Sequence, residues 1–400
     1  MRVGLSLINY TGPPAGILSG VASYAQQRAW TFDQDDHTPE GLRRLLTLKP
    51  DGVMIGSSDA EVFALLTSAR VPAVNIHFNP PPAAMGWVCN DDHAIGVLAA
   101  HHLLSRGHKR FGFFARTGWG VDDARLSGFS ETVASSKLSV SVFDGVPPVP
   151  PAERRAYEQA LCDWVSALPK PVGILCVNDH FARLLANACK RLGLEVPSQV
   201  AILGVDNDAI TCSLSDPPLS SVEVGAQRQG YEAARLLDEL MAGTATAALK
   251  VQVPPVRVIH RRSTDAVVAS DKFVAGALCH MKAHLADDDS LDVVCQRLHC
   301  SRRTLERRFG LHLGVTPSQA WSRFRLEEAQ RLLVDTDLKL AVVAELSGFR
   351  EAKYLSEAFK KLTGQTPGQF RRNASLGKSF AHEDATLGRE PPATAEDLPG

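Results

Sequence analysis

Several short apolar runs of this 400-residue sequence end in side chains able to hydrogen-bond a polyhydroxylated ligand. Asn9 and Tyr10 follow VGLSLI, Ser57 to Asp59 follow GVMIG, and Arg116 to Trp119 follow RFGFFA. Asn178 and Asp179 follow VGILCV, and Asp206 and Asn207 follow VAILGV. A carboxylate accepts from two adjacent hydroxyls, Asn and Arg offer donors in a fixed plane, and an aromatic face covers the C–H surface of a sugar ring. Asn9, Tyr10, Asp59, Trp119, Asp179, Asp206 and Asn207 are therefore candidate sugar contacts. Each acid taken alone has an ordinary alternative as a helix N-cap or surface-loop residue.

A second constellation lies near the C-terminus, where Arg302, Arg303 and Arg307 cluster within SRRTLERRFG. Guanidinium groups crowded on one helix suit phosphates and the edges of bases. Catalytic patterns are missing. The first apolar run leads into NYTGPPAG rather than GxGxxG, and neither GxxxxGK[ST] nor GxSxG occurs. His280, His284, Cys295, His299 and Cys300 hint at a metal, but adjacent His299 and Cys300 fit no usual zinc spacing, so no metal is expected. The eight cysteines form no CxxC pair and read as reduced thiols. No cofactor is implied.

The elements that must position these groups change character along the chain. Up to residue 265, apolar runs at 3–8, 52–56, 72–76, 110–115, 172–177 and 200–205 alternate with amphipathic segments. Those segments lie at 15–29, 39–48, 59–69, 92–106, 121–135, 152–168, 179–192 and 225–241. Repeated strand–helix alternation predicts mainly parallel sheets covered on both faces, and this length predicts two such lobes. Pro-rich stretches predict lobe crossings near 88–90, 218–222 and 253–256.

Residues 266–373 read as all-helical. From 271 to 372 there are 17 basic against 13 acidic residues, whereas 1–270 carry 24 and 26, so a basic module sits in a chain of net charge −1. Residues 374–400 lack apolar periodicity and are expected to be disordered. No apolar run is long enough to span a membrane, and the N-terminal segment reads as a strand rather than a signal peptide.

The helical module repeats itself. Leu305, Phe309, Gly314, Thr316, Pro317 and Gln319 recur as Leu355, Phe359, Gly364, Thr366, Pro367 and Gln369. Each unit reads as a short helix, a tight turn and a second helix, and a helix over 317–336 joins them. Helix–turn–helix units place the second helix in a DNA major groove, and a rod of about 27 Å suits successive grooves about 34 Å apart. The DNA-facing candidates are Ser301, Arg302, Arg303, Glu306 and Arg307 in the first unit. Arg350, Glu351, Lys353, Tyr354 and Lys360 are their counterparts in the second.

The stretch RLEEAQRLLVDTDLKLAVVAELSGFREAKYLSEAFKKLTGQTPGQFR resembles the AraC/XylS-type DNA-binding signature, with Leu355 where Phe is more usual. NDDHAIGVLAAHHLLSRGHKRFGFFA, ARLSGF, VNDHFA and ILGVDND resemble LacI-type and periplasmic sugar-binding domains. That second resemblance adds Arg125, the Arg of RxxGF, to Asp206 as ligand contacts, with Asp179 in the same cleft. The fold implied is an α/β two-lobed periplasmic-binding-protein-like domain followed by an all-α double helix–turn–helix domain.

The junction VPPVRVIHRRSTD resembles that of bacterial regulators with this domain order. The resemblance implies a cytoplasmic activator of xylose-utilisation genes, with D-xylose or a related monosaccharide as effector and a double-stranded DNA operator. RNA polymerase is an expected partner. A homodimer is expected through the first lobe, with segments 15–29 and 59–69 as the candidate faces or else packed on their own sheet, and with no membrane association and no catalysis. Another monosaccharide, an exported receptor and an enzyme with an appended reader are the alternatives.

Overall fold

The structure, a computed structural model, describes residues 1–7, 14–26, 28–36, 38–82, 85–115, 120–145, 150–245, 249–265, 271–285, 291–313, 315–363 and 365–375. The first lobe begins with β1 (Arg2–Ser6), α1 (Pro14–Ala25), β2 (Thr31–Gln34) and α2 (Pro39–Thr47). It continues through β3 (Gly52–Ile55), α3 (Ala60–Ala69), β4 (Ala73–Asn75) and β5 (Gly86–Asn90). The chain then builds the second lobe from α4 (Asp92–Ser105), β6 (Phe111–Ala115), α5 (Gly120–Ala134), β7 (Val140–Asp144) and α6 (Pro151–Ala167). β8 (Val172–Cys176), α7 (Asp179–Arg191), β9 (Val200–Val205), α8 (Ala209–Leu214) and β10 (Ser220–Glu223) complete that lobe's forward run. The return path adds α9 (Ala226–Met241) and β11 (Lys250–Val253) to lobe one and β12 (Arg257–Ile259) to lobe two.

The sheets have strand orders β11-β5-β4-β3-β1-β2 and β12-β10-β9-β8-β6-β7. All neighbours run parallel except the antiparallel pair β10–β12. Helices cover both faces, which is why the central strands read as unbroken apolar runs. In β3, Val53 and Ile55 face the α2–α3 core while Met54 faces the α1–α9 core. In β8, Ile174 and Cys176 face α6 and α7, and Leu175 faces α4 and α5.

The chain crosses between lobes after β5, after β10 and between β11 and β12. The second crossing comes a few residues beyond the expected 218–222, because Pro217 and Pro218 lead into β10 instead of out of the lobe. Val21 and Tyr24 of α1, and Val62 and Leu66 of α3, are buried in the cores of lobe one. These apolar residues of the two candidate segments thus pack on their own sheet, the alternative that the sequence left open.

The helical module holds α10 (Lys272–Ala283), α11 (Leu291–Arg297), α12 (Arg302–Leu313), α13 (Pro317–Asp335), α14 (Leu340–Leu346), α15 (Ala352–Thr363) and α16 (Pro367–Ser375). It has two cores, and α13 serves both. Ala320, Trp321 and Phe324 join Leu305 and Phe309 in the first, while Leu326, Ala329, Leu332 and Leu333 join Leu355 and Phe359 in the second. The repeated Thr-Pro-x-Gln has a capping role. Gln319 N donates to Thr316 Oγ1 at 3.2 Å and Thr316 N to Gln319 Oε1 at 2.8 Å. Thr366 and Gln369 repeat this exchange at 3.2 and 2.9 Å, and Pro at the first helical position needs no amide partner. The expected disorder of 374–400 falls, beyond Ser375, outside the described residues.

Candidate functional site

The cleft groups of lobe two sit at the carboxyl ends of β8 and β9, where open parallel sheets gather ligands. Asn178 caps α7 by accepting Phe181 N at 3.0 Å, which delivers Asp179 into the interior at 2% exposure. Its Oδ2 accepts the Asp208 amide at 2.7 Å, while its Oδ1 is buried without a hydrogen-bond partner among the described residues. Residue 204 must be glycine here, because a Cβ would stand 2.0 Å from Asp179 Oδ1. Burial first, and the nearby Asp206 charge second, push the Asp179 carboxyl up to about 7.

Asp179 thereby anchors the turn that presents Asp206. Asp206 and Asn207 have φ of 101° and 54°, left-handed backbone that Asp and Asn tolerate better than most residues but that still stores strain. Asn207 N donates to Ser221 Oγ at 2.9 Å, and Arg261 Nη2 donates to Asn207 Oδ1 at 2.8 Å. Asn207 Nδ2 in turn reaches Glu223 Oε1 at 3.3 Å. The Asn207 amide, expected at the ligand, is thus engaged at both ends in tying the turn to β10 and to the segment after β12.

Arg125 comes to the same edge from α5. It is 6% exposed, its Nε donates to Asp92 Oδ1 at 2.8 Å, and its Nη1 donates to Val177 O, two residues before Asp179. Burial raises the Asp92 carboxyl, and the Arg125 charge opposes that rise. Asp92 was not legible as a site residue, although the doubled acid in NDDH exceeds what one helix cap needs. Asp91 is that cap, accepting Ala94 N at 3.0 Å. In lobe one, Asp59 is an exposed cap of α3, with Oδ1 accepting Glu61 N at 2.8 Å. Phe78 leaves lobe one and packs against the lobe-two core, a cross-cleft aromatic that the sequence reading missed. Asn9, Tyr10 and Trp119 lie outside the described residues.

In the helical module the candidate groups face outward. Ser301 Oγ caps α12 by accepting Thr304 N at 3.2 Å, and Arg302, Arg303, Glu306 and Arg307 are exposed along it. Arg302 Nε meets Glu306 Oε1 at 3.2 Å, one helical turn away. Arg308 points inward instead, pairing with Asp271 and stacking 4.3 Å from the Phe273 ring. Arg350, Glu351, Lys353, Tyr354 and Lys360 are exposed at or on α15. His299 (φ 49°) and Gly348 (φ 80°) make the corresponding left-handed turns. The 19 residues of α13 separate the two outward helices by a rod of about 28 Å.

Residues 100–264 match the model of a periplasmic binding protein-like domain, and residues 294–373 match a helix-turn-helix domain. The xylose operon regulatory protein of Escherichia coli strain K12 is 30% identical over 366 residues, covering 89% of this chain and 93% of that protein. The chain belongs to the xylose operon regulatory protein family. The Haemophilus influenzae member of this family is 27% identical, over 89% of this chain and 94% of its own length. A solved xylose-binding transcription activator is 30% identical, with a TM-score of 0.59, over 93% of this chain and 97% of that one. A LacI family regulator from Enterococcus faecium, solved with ribose, shares the receptor fold at 20% identity and a TM-score of 0.53. Among the described residues no group of three His, Cys, Asp or Glu is arranged to hold a metal, and no helix is long and apolar enough to cross a membrane.

Proposed function

We propose that this chain is a D-xylose-responsive transcriptional activator with no catalytic activity of its own. The observation that carries the reading is the covalent union of a two-lobed receptor, with Asp179, Asp206 and Arg125 gathered at one strand edge, and a helical reader with two arginine- and lysine-bearing outer helices. Asp206 accepts from ring hydroxyls, Arg125 donates to one, and Asp59 and Phe78 approach from the other lobe. The sugar closes the lobes, and closure changes how a homodimer presents its readers to DNA and to RNA polymerase. As a regulator acting on DNA operators, the protein works in the cytoplasm.

A ligand that binds only the folded chain raises its melting temperature, by about 2.7 kcal/mol of added stability at a hundredfold excess over Kd. Melting the protein against a monosaccharide panel should single out D-xylose. A larger shift with ribose or glucose would replace the effector and keep the regulator. Turnover of any of these sugars would refute the non-catalytic reading.

A further inference from the structure

The helix α4 has sugar-cleft groups at one end and the reader at the other. Its first residue, Asp92, holds Arg125 at 2.8 Å. Fourteen residues later, about 21 Å along the axis, its last turn meets α13. Arg323 Nη1 donates to His101 O at 3.3 Å, and Glu327 Oε1, one turn further along α13, lies 3.7 Å from Arg106 Nη1.

Arg106 is 3% exposed and closely held on the receptor side. Its Nε donates to Thr264 O at 3.1 Å, and its Nη1 donates to His102 Nδ1 at 2.9 Å. Since Nδ1 accepts from a guanidinium, the His102 Nε2 carries the proton and donates to Thr264 Oγ1 at 2.9 Å. Thr264 Oγ1 donates onward to Ser220 Oγ at 2.7 Å, on the strand beside the Asp206 turn. Burial pushes His101 down to about 4, so this contact carries no imidazolium charge at neutral pH.

The rod between these ends is stiff where it matters. At Gly96 a Cβ would stand 2.1 Å from Arg125 O, so α4 and α5 touch backbone to backbone and the Arg125 segment cannot shift without moving α4. At the far end, α13 lends side chains to both reader cores, so a displacement of α13 moves both outer helices together.

We propose that α4 couples the cleft to the reader, with Arg106, Arg323 and Glu327 as positioning residues that transmit its shift to α13. This rests on the functional reading above and adds the route to it. The experiment uses the full chain and a DNA duplex selected from a random pool, with the DNA Kd measured with and without saturating D-xylose. Wild type should show a ratio within about 5–150-fold. Arg323→Ala and Glu327→Gln should bring that ratio toward one, with xylose Kd and melting temperature within twofold and a few degrees of wild type. Arg323→Lys should retain part of it. Hydrogen exchange at α13 should respond to xylose in wild type and not in Glu327→Gln, which keeps its shape. Variants that keep the full wild-type ratio overturn the coupling route alone. A wild type whose DNA affinity ignores xylose overturns the functional reading and this inference with it.

Discussion

The Asp179 carboxyl, pushed up to about 7, ties the stability of lobe two to pH. A carboxyl that titrates above its ordinary 3.8 binds its proton more readily in the folded chain. Its contribution is therefore complete below about pH 4 and is lost as pH rises toward 7, at no more than about 1.4 kcal/mol per pH unit. Asp179→Asn keeps an acceptor for the Asp208 amide and removes the titration. Its urea midpoint relative to wild type should rise between pH 5 and pH 8, and an unchanged difference would mean that Asp179 is already ionised at pH 5. Asp206→Asn preserves the tolerated left-handed backbone while removing the charged acceptor. Loss of hydrogen bonds to a charged group costs about 1.5–3 kcal/mol, so calorimetry should find xylose affinity at least about tenfold weaker. Arg125→Ala is a poorer probe, because it strands the buried Asp92 charge and should cost about 3–5 kcal/mol of stability. If both variants bind xylose as wild type does, the cleft is wrongly assigned.

The two outer helices of the reader can be separated experimentally. The first carries Arg302, Arg303 and Arg307 on its exposed side, and the second offers Arg350 and Lys353. An Arg bidentate to guanine contributes about 1–3 kcal/mol of discrimination, whereas a phosphate contact weakens all sequences alike. Arg303→Ala should relax sequence preference over one half of the site. Lys353→Ala should act about 10 base pairs away in footprints, since successive major grooves repeat at that interval. Protection lost over the same few base pairs in both variants would contradict a reader that spans two grooves.

At this scale the sequence was most legible. The amphipathic segments at 39–48, 92–106 and 179–192 are α2, α4 and α7 almost to the residue, and VAILGV is β9. β2 and β7 escaped because edge strands such as TFDQ need no apolar alternation, and β5 and β10 were hidden behind prolines. The meeting of Asp179 and Asp206 at one sheet edge could be read because strand–helix topology alone brings strand ends together. The Asp92–Arg125 and Arg106–Glu327 pairs could not, since each joins residues distant in sequence with no local pattern to mark them.

The whole molecule is a chain of three bodies joined by few segments. Three crossings link the lobes, and the reader meets the receptor through α4 and the Asp265–Lys282 pair at 2.8 Å. Val256, in the last crossing, also packs against the second reader core. The proposed lobe movement therefore has a short path to both outer helices, and a regulator needs only a modest difference in sugar affinity between its two arrangements. As a xylose-responsive regulator, this chain is expected to change its grip on DNA when D-xylose binds. The direct measurement is the equilibrium DNA Kd of the full protein on a selected duplex, without sugar and with saturating D-xylose, glucose or ribose. D-xylose should change this Kd by about 5–150-fold and the other sugars much less. An identical Kd in all four conditions would contradict that expectation.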